Sequence, residues 1–487
     1  MAKCFFADTT EFNPEPIVRQ YCDALRASDA EDMLLLVSYS FSAFWLDGKP
    51  RSILAGLYCL EKNKTAKESI EQQTSENHHQ QNNHQQNIEI SFTVTDAVES
   101  VKNFLENHHE SNVSTLFCAI KEQFSLPVFS SSSLLFLSSV SIAKPWGKEI
   151  WYTGIEARGV AKVSDQHFQL PLPWVLSALP TSLCANHQQS LILLKILDPL
   201  PEPVFGDLYF ELHQQKREVY VVTGIDRHAW PTGQGEIRFG FDQEKRRQYA
   251  SDNDFRVDFV RVVKKYQRIR ETIDKIIDEC RRKDNIQLTA PVPAKTLVTW
   301  LTKIPEKLRE DERKLRSEMD LFSYLLPLQV GDVVKVPCLT PHSLQHGVRT
   351  VEFQTPVYER LIVSFAQKVL TQANWDTDAA AAIMNLDAPA QPDHQCLIDA
   401  EGVLVERIVD FEDFEVLRIV LQVGTSYFIS SPIDYGLMMA VKGEIVLRDN
   451  LISPEQAVLI PTCWPGGHIE NSTDEVVSLL LAYPKCA

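Results

Sequence analysis

A chain of 487 residues, 44% hydrophobic and 23% charged, has the balance of an ordinary soluble protein and enough apolar material for roughly three domains. Its formal net charge of −17 excludes a general nucleic-acid binder, because a phosphate-tracking surface needs a basic stripe, and clusters such as Arg281–Lys283 lie among acidic neighbours. The ten cysteines are scattered without a CxxC pair, as in a cytoplasmic protein with reduced thiols. The N-terminus lacks the apolar core of a signal peptide, and the serine-broken run Phe129–Ile142 is too short to span a bilayer, so no membrane partner is expected.

Taken in chain order, Glu15–Arg26 carries Ile17, Tyr21 and Leu25 at helical spacing, and Asp29–Asp32 reads as the cap of a second helix through Met33–Leu36. The stretch SYSFSAFWLDGKP then alternates as a strand toward an Asp47-Gly48 turn. Glu71–Asn87, rich in Gln, Asn and His, has almost no apolar residue and reads as a disordered linker. Its His78, His79 and His84 are read as solvated in preference to metal-bound. Ser91–Leu105 reads as a helix or a strand-helix unit. Residues 1–130 therefore predict an N-terminal α or α/β module, without catalytic spacing.

From Ser130 the chain breaks into short apolar runs, with strands predicted near Ser131–Ile142, Glu149–Thr153, Gly159–Val163, Leu191–Leu197, Gly206–Leu212 and Glu218–Thr223. Arg246–Arg282 then places Phe255, Phe259, Val262, Tyr266 and Ile273 at helical intervals, and Lys295–Arg316 is helical again. Strand character returns at Gln329. An Ala/Asp/Pro-rich link follows (Asp376–Asp393), and then a last β-rich block, Val403–Ala487. The predicted fold class is mainly β with α. It comprises a barrel from 131–225 plus 328–375, a helical insertion at 226–327, and a second barrel at 394–487.

Within the first barrel, GDLYFELHQQKREVYVVTG (Gly206–Gly224) reads as a hairpin. Glu211 and His213 lie two apart on one strand face, and Glu218 returns on the next strand. PCLTPH (Pro337–His342) offers His342 as a further imidazole. Two carboxylates and two imidazoles suit a borderline divalent ion with a position left open for a substrate oxygen. The pattern resembles the two motifs of the cupin fold: Gly206, Glu211-x-His213, Glu218 and Gly224 for the first, Gly331, Pro337, Leu339 and His342 for the second. Glu211 stands where the first motif has His, and Leu339 where the second has Gly. In the last block the equivalent of the second motif places Gly466 where its His would be, so that barrel is predicted to bind no metal.

The long insertion between the motifs narrows the resemblance to the type I mannose-6-phosphate isomerase family, over about residues 138–487. AKPWGKEIWYTG (Ala143–Gly154), LLKILDP (Leu193–Pro199) and VEFQTPVYERLIVSF (Val351–Phe365) are similar to its segments. The resemblance implies zinc held by Glu211, His213, Glu218 and His342, with Lys216 and Arg360 as catalytic residues and a sugar phosphate as substrate. The implied reaction is aldose–ketose interconversion, mannose 6-phosphate to fructose 6-phosphate through a cis-enediol. Glu211 replaces a neutral Gln of the family, which weakens the metal as a Lewis acid and suits Fe2+ or Mn2+ as well as Zn2+. Tyr209 replaces a phosphate-contacting Ser. These departures leave two alternatives: a non-catalytic sugar-binding or regulatory protein, and a different metal-dependent cupin enzyme such as an oxygenase or epimerase.

Overall fold

The structure, a computed structural model, describes residues 4–62, 88–108, 112–179 and 191–485. The predicted linker at 71–87 lies outside the described residues. The described cysteines form no disulfide with one another, and no described helix is long and apolar enough to cross a membrane.

The N-terminal residues form a five-stranded sheet in which Cys4–Asp8 runs parallel to Asp32–Ser42 and the remaining pairs are antiparallel. The helix predicted at Glu15–Arg26 is present, and Ser91–Leu105 resolves into the strand Ile88–Thr95 followed by the helix Val98–Asn107. Met33–Leu36, predicted as helix, belongs instead to the strand Asp32–Ser42. The cause is burial on both faces. Met33, Leu35, Val37 and Tyr39 point into one core, while Leu34 and Leu36 point into another beneath the helices Val98–Asn107 and Val113–Phe124. A strand covered on both sides reads as a continuous apolar run, which periodicity alone does not separate from a helix.

Two sheets then face each other. One has six strands in the order Val333–Val336, Glu218–Ile225, Val348–Gln354, Leu193–Pro199, Gly147–Trp151 and Val140–Lys144. The other has five, in the order Ser323–Leu328, Gly235–Phe241, His342–Leu344, Phe210–Leu212 and Leu361–Ser364. Leu197, Tyr220, Val222 and Val334 from the first meet Ile237, Phe239, Leu344 and Ile362 from the second in a shared core. Alternate residues of the five-stranded sheet (Phe210, Leu212, Phe241 and Val363) point outward against Phe255, Phe259, Val262 and Val263 of the long helix Asp252–Lys283. Two stretches in the region read as helical, Gly235–Phe241 and Ser323–Leu328, are therefore strands that extend this sheet. The helix read at Lys295–Arg316 is broken before Pro305 into Ala294–Leu301 and Glu306–Asp320, since proline closes off the preceding residue's helical conformation.

The C-terminal strands pair in a nine-stranded sheet, opposed by a four-stranded one across a second core that includes Ile419, Met438, Trp464 and Leu479. Leu135–Ser138, Lys162–Ser164 and Gln169–Pro171, read with the first barrel, pair into this nine-stranded sheet, with Leu135–Leu137 in register against Ala457–Leu459.

Of the two glycines bracketing the ligand hairpin, Gly206 is sterically fixed. A Cβ there would lie 1.8 Å from the Leu200 carbonyl oxygen, whereas one at Gly224 would first meet Arg349 Cβ at an ordinary 3.5 Å. Gly206→Ala is expected to cost about 3 kcal/mol through forced backbone displacement, and Gly224→Ala much less. Chemical denaturation curves compare them, and equal midpoints for the two variants would contradict the assignment.

Candidate metal centre

Glu211 occupies the centre of the short strand Phe210–Leu212, directly opposite His342 on the neighbouring strand, so both side chains leave the same face of the five-stranded sheet. His213 follows at the strand end. Glu218 comes from the other sheet, where it opens the strand Glu218–Ile225. Among the described residues, one ligand atom from each of His213, Glu218 and His342 lies within 4.8 Å of the others, and all three residues are buried. Glu211 stands beside them, with Oε1 4.0 Å from His213 Nε2.

Glu218 is the hub. Its Oε2 accepts from the Tyr220 hydroxyl at 2.6 Å and lies 3.1 Å from His342 Nε2. Its Oε1 lies 2.9 Å from Lys216 Nζ and 3.3 Å from His213 Nε2. Burial by itself would raise this carboxyl, but the Lys216 ammonium, with His213 and His342, outweighs it and holds Glu218 well below the usual carboxylate range. His213 is driven the other way: burial, reinforced by the Lys216 charge, pushes it well below the usual imidazole range and leaves it neutral. For His342 burial lowers and the hydrogen bond to Glu218 raises, with a net rise.

Both imidazoles turn Nδ1 toward a main-chain carbonyl, His213 to Glu359 at 2.9 Å and His342 to Thr340 at 3.0 Å. Donation from Nδ1–H directs Nε2 inward, which is how metal-bound histidines are commonly oriented. His213 Nε2 and Glu211 Oε2 are buried without a hydrogen-bond partner. Orphaned acceptors in a dry site cost free energy unless something electropositive reaches them. A divalent cation fits this set of donors.

The two residues expected to be catalytic are close by. Lys216 is buried on Glu218. Arg360 extends its guanidinium over the Tyr209 ring, 4.8 Å from the ring centroid and 3.7 Å from Glu211 Oε2. Lys216, Arg360 and Glu211 line one cavity of about 640 Å³, within the size range of small-molecule sites.

Sequence reasoning missed several groups here. Glu359 binds the hairpin turn through its carboxylate, accepting from the main-chain N–H of Gln214, Gln215 and Lys216. Glu352 is buried on the inner face of the six-stranded sheet with the half-buried Lys195 3.3 Å away, and Lys144 and Glu149 pair at 2.9 Å. The available signal was a charge interrupting an apolar strand, as Lys195 does in LLKILDP. At the position of the second motif's glycine, Leu339 adopts a left-handed φ of 63° and its N–H donates to the His213 carbonyl at 2.6 Å. The conformation reserved for glycine is thus retained by a residue that rarely adopts it.

No family model and no curated protein sequence matches the chain. Solved structures do. A substitution mutant of phosphomannose isomerase from Salmonella typhimurium aligns with a TM-score of 0.51 at 13% identity, covering 73% of this chain and 100% of that one. A zinc-bound mannose 6-phosphate isomerase aligns with a TM-score of 0.50 at 13% identity over the same shares. The apo form from Salmonella typhimurium gives 0.50 at 12% identity, again over 73% and 100%. Over nearly three quarters of its length, the chain is therefore similar in fold to the mannose 6-phosphate isomerases.

Proposed function

We propose that this chain is a divalent-metal-dependent aldose–ketose isomerase acting on a small sugar, the class of reaction that converts mannose 6-phosphate to fructose 6-phosphate. In this reading the two facing sheets around Glu218 form a metal-binding cupin barrel, the long-helix region is an insertion within it, and the C-terminal sheets form a second barrel. The observation that carries it is the pair of buried acceptors without a hydrogen-bond partner, His213 Nε2 and Glu211 Oε2, beside Glu218 and His342, with Glu211 opening onto the cavity.

His213, Glu218, His342 and Glu211 would hold the ion, with zinc first and iron or manganese admitted by the second carboxylate. When bound, a divalent ion polarises sugar oxygens and offsets negative charge developing on them. Arg360, held by Tyr209 and by donation to Thr371 Oγ1 at 2.6 Å, lines the cavity and would hold the sugar oxygens of an enediolate. Lys216, whose ammonium lies on Glu218, would donate a hydrogen bond to the sugar carbonyl oxygen and polarise it.

Metal analysis of the purified chain, coupled to an assay for ketose formation from mannose and mannose 6-phosphate and from other aldoses, tests the reading. About one divalent ion per chain with turnover of an aldose is expected. A tightly held metal without isomerisation of any aldose would overturn it in favour of a sugar-binding protein. Absence of a bound metal would remove its basis altogether.

A further inference from the structure

Resting on the isomerase reading, we propose that the sugar taken by this cavity is unphosphorylated. A phosphate ester carries about −1.5 to −2 charge near neutral pH and calls for cations that are free to meet it. Among the described residues, the cations lining this cavity are already matched. Close to the metal centre, Lys216 is on Glu218 and Arg360 is by Glu211. Of the others, Lys144 is 2.9 Å from Glu149, Lys195 is 3.3 Å from Glu352, and Arg158 is paired with Glu156.

An ion in the metal centre would compete for Glu218 and Glu211 and so release Lys216 and Arg360, which serve the reacting end of the sugar. Neither Glu149 nor Glu156 belongs to that centre, so the Lys144 and Arg158 pairs stay closed to a substituent distant from C1 and C2. Glu149 is held on both oxygens, by Lys144 and by the Trp151 indole N–H at 2.7 Å. A phosphate arriving there must strip Lys144 from a buried carboxylate and leave that carboxylate facing a dianion. Breaking a buried pair this way is strongly unfavourable. Uncharged hydroxyls meet no such obstacle, since alternating ammonium donors and carboxylate acceptors are what a polyol needs, each hydroxyl both giving and receiving a hydrogen bond.

Tyr209 adds to what engages Arg360. Its ring is buried against Phe365 and lies under Arg360, so the guanidinium is stacked on an aromatic face.

The test uses the full-length, metal-loaded protein in two arms. First, kcat/KM is measured for unphosphorylated aldoses and for their phosphate esters. Preference for the free sugars on the order of 100-fold is expected, and preference for the esters would overturn the proposal while leaving the isomerase reading intact. If neither group is turned over, the isomerase reading fails, and the second arm decides the charge question alone. In that arm, binding of inorganic phosphate is followed by calorimetry in wild type and in Glu149→Gln, which frees Lys144. The expected result is no measurable binding by wild type and a gain on substitution. Saturable binding of phosphate by wild type, lost in Lys144→Ala, would overturn the proposal.

Discussion

Replacing His342 by alanine is expected to strip the divalent metal from the purified protein, weakening affinity by at least ~100-fold, since even outer partners of metal ligands are worth 10- to 100-fold. His342 is buried, and its ring is fixed from both nitrogens, by the Thr340 carbonyl and by Glu218. No neighbouring side chain named in the cluster can move into its place, because Glu211 and His213 are already on the same side of the site. Arg360→Ala is the matched control: it removes a group that lines the cavity without belonging to the ligand cluster, so metal content should persist while turnover falls. The measurement is elemental analysis after dialysis against a chelator. Full metal retention by His342→Ala would show that the ligand set is wrongly assigned.

A chain beginning at Ser130 is expected to be insoluble, a larger effect than any point substitution. The N-terminal sheet is continuous with the body of the protein, not tethered to it. Tyr39, Tyr58 and Phe92 share one hydrophobic core with Leu172, Val175 and Leu176 of the helix Leu172–Ala178 and with Val219, Val351 and Phe353 from the outer face of the six-stranded sheet. The Tyr39 hydroxyl is 2.8 Å from Ser177 Oγ, and the Tyr58 hydroxyl donates to the Ala178 carbonyl at 2.8 Å. Cutting at Ser130 also divides the edge strand Phe129–Ser130. Exposing three or four such apolar side chains, at about 1.5–3 kcal/mol each, forfeits an amount comparable with the whole stability of a domain, about 5–15 kcal/mol. The soluble fraction on expression and the melting temperature decide this. A soluble, cooperatively folding truncate with normal metal content would mean the N-terminal module is an attachment.

How much was legible in the sequence follows from how locally each feature is encoded. That Glu211, His213 and Glu218 come together was readable because they fall within one hairpin, where strand alternation dictates which face each takes. His342 was reached through its own short motif. Lys195 and Glu352 were not, because the pairing that buries them joins strands distant in the chain, and a lone charge in an apolar strand does not name its partner. Gly235–Phe241 and Ser323–Leu328 were lost in a helical neighbourhood because they are short and flank the long helix region. The placement of Leu135–Ser138 in the C-terminal sheet was likewise invisible, since a run apolar on both faces satisfies either sheet.

The Glu359 clasp bears on how the site is held together. Its carboxylate fixes the turn at Gln214–Lys216, its carbonyl fixes the His213 ring, and the next residue is Arg360. The His213 ring, the turn that carries Lys216 and the chain leading into Arg360 are therefore fastened together. Elsewhere on the cavity wall Arg158, paired with Glu156, is exposed. The relative placement of His213, Lys216 and Arg360 is thus held by one short segment of the protein's own chain.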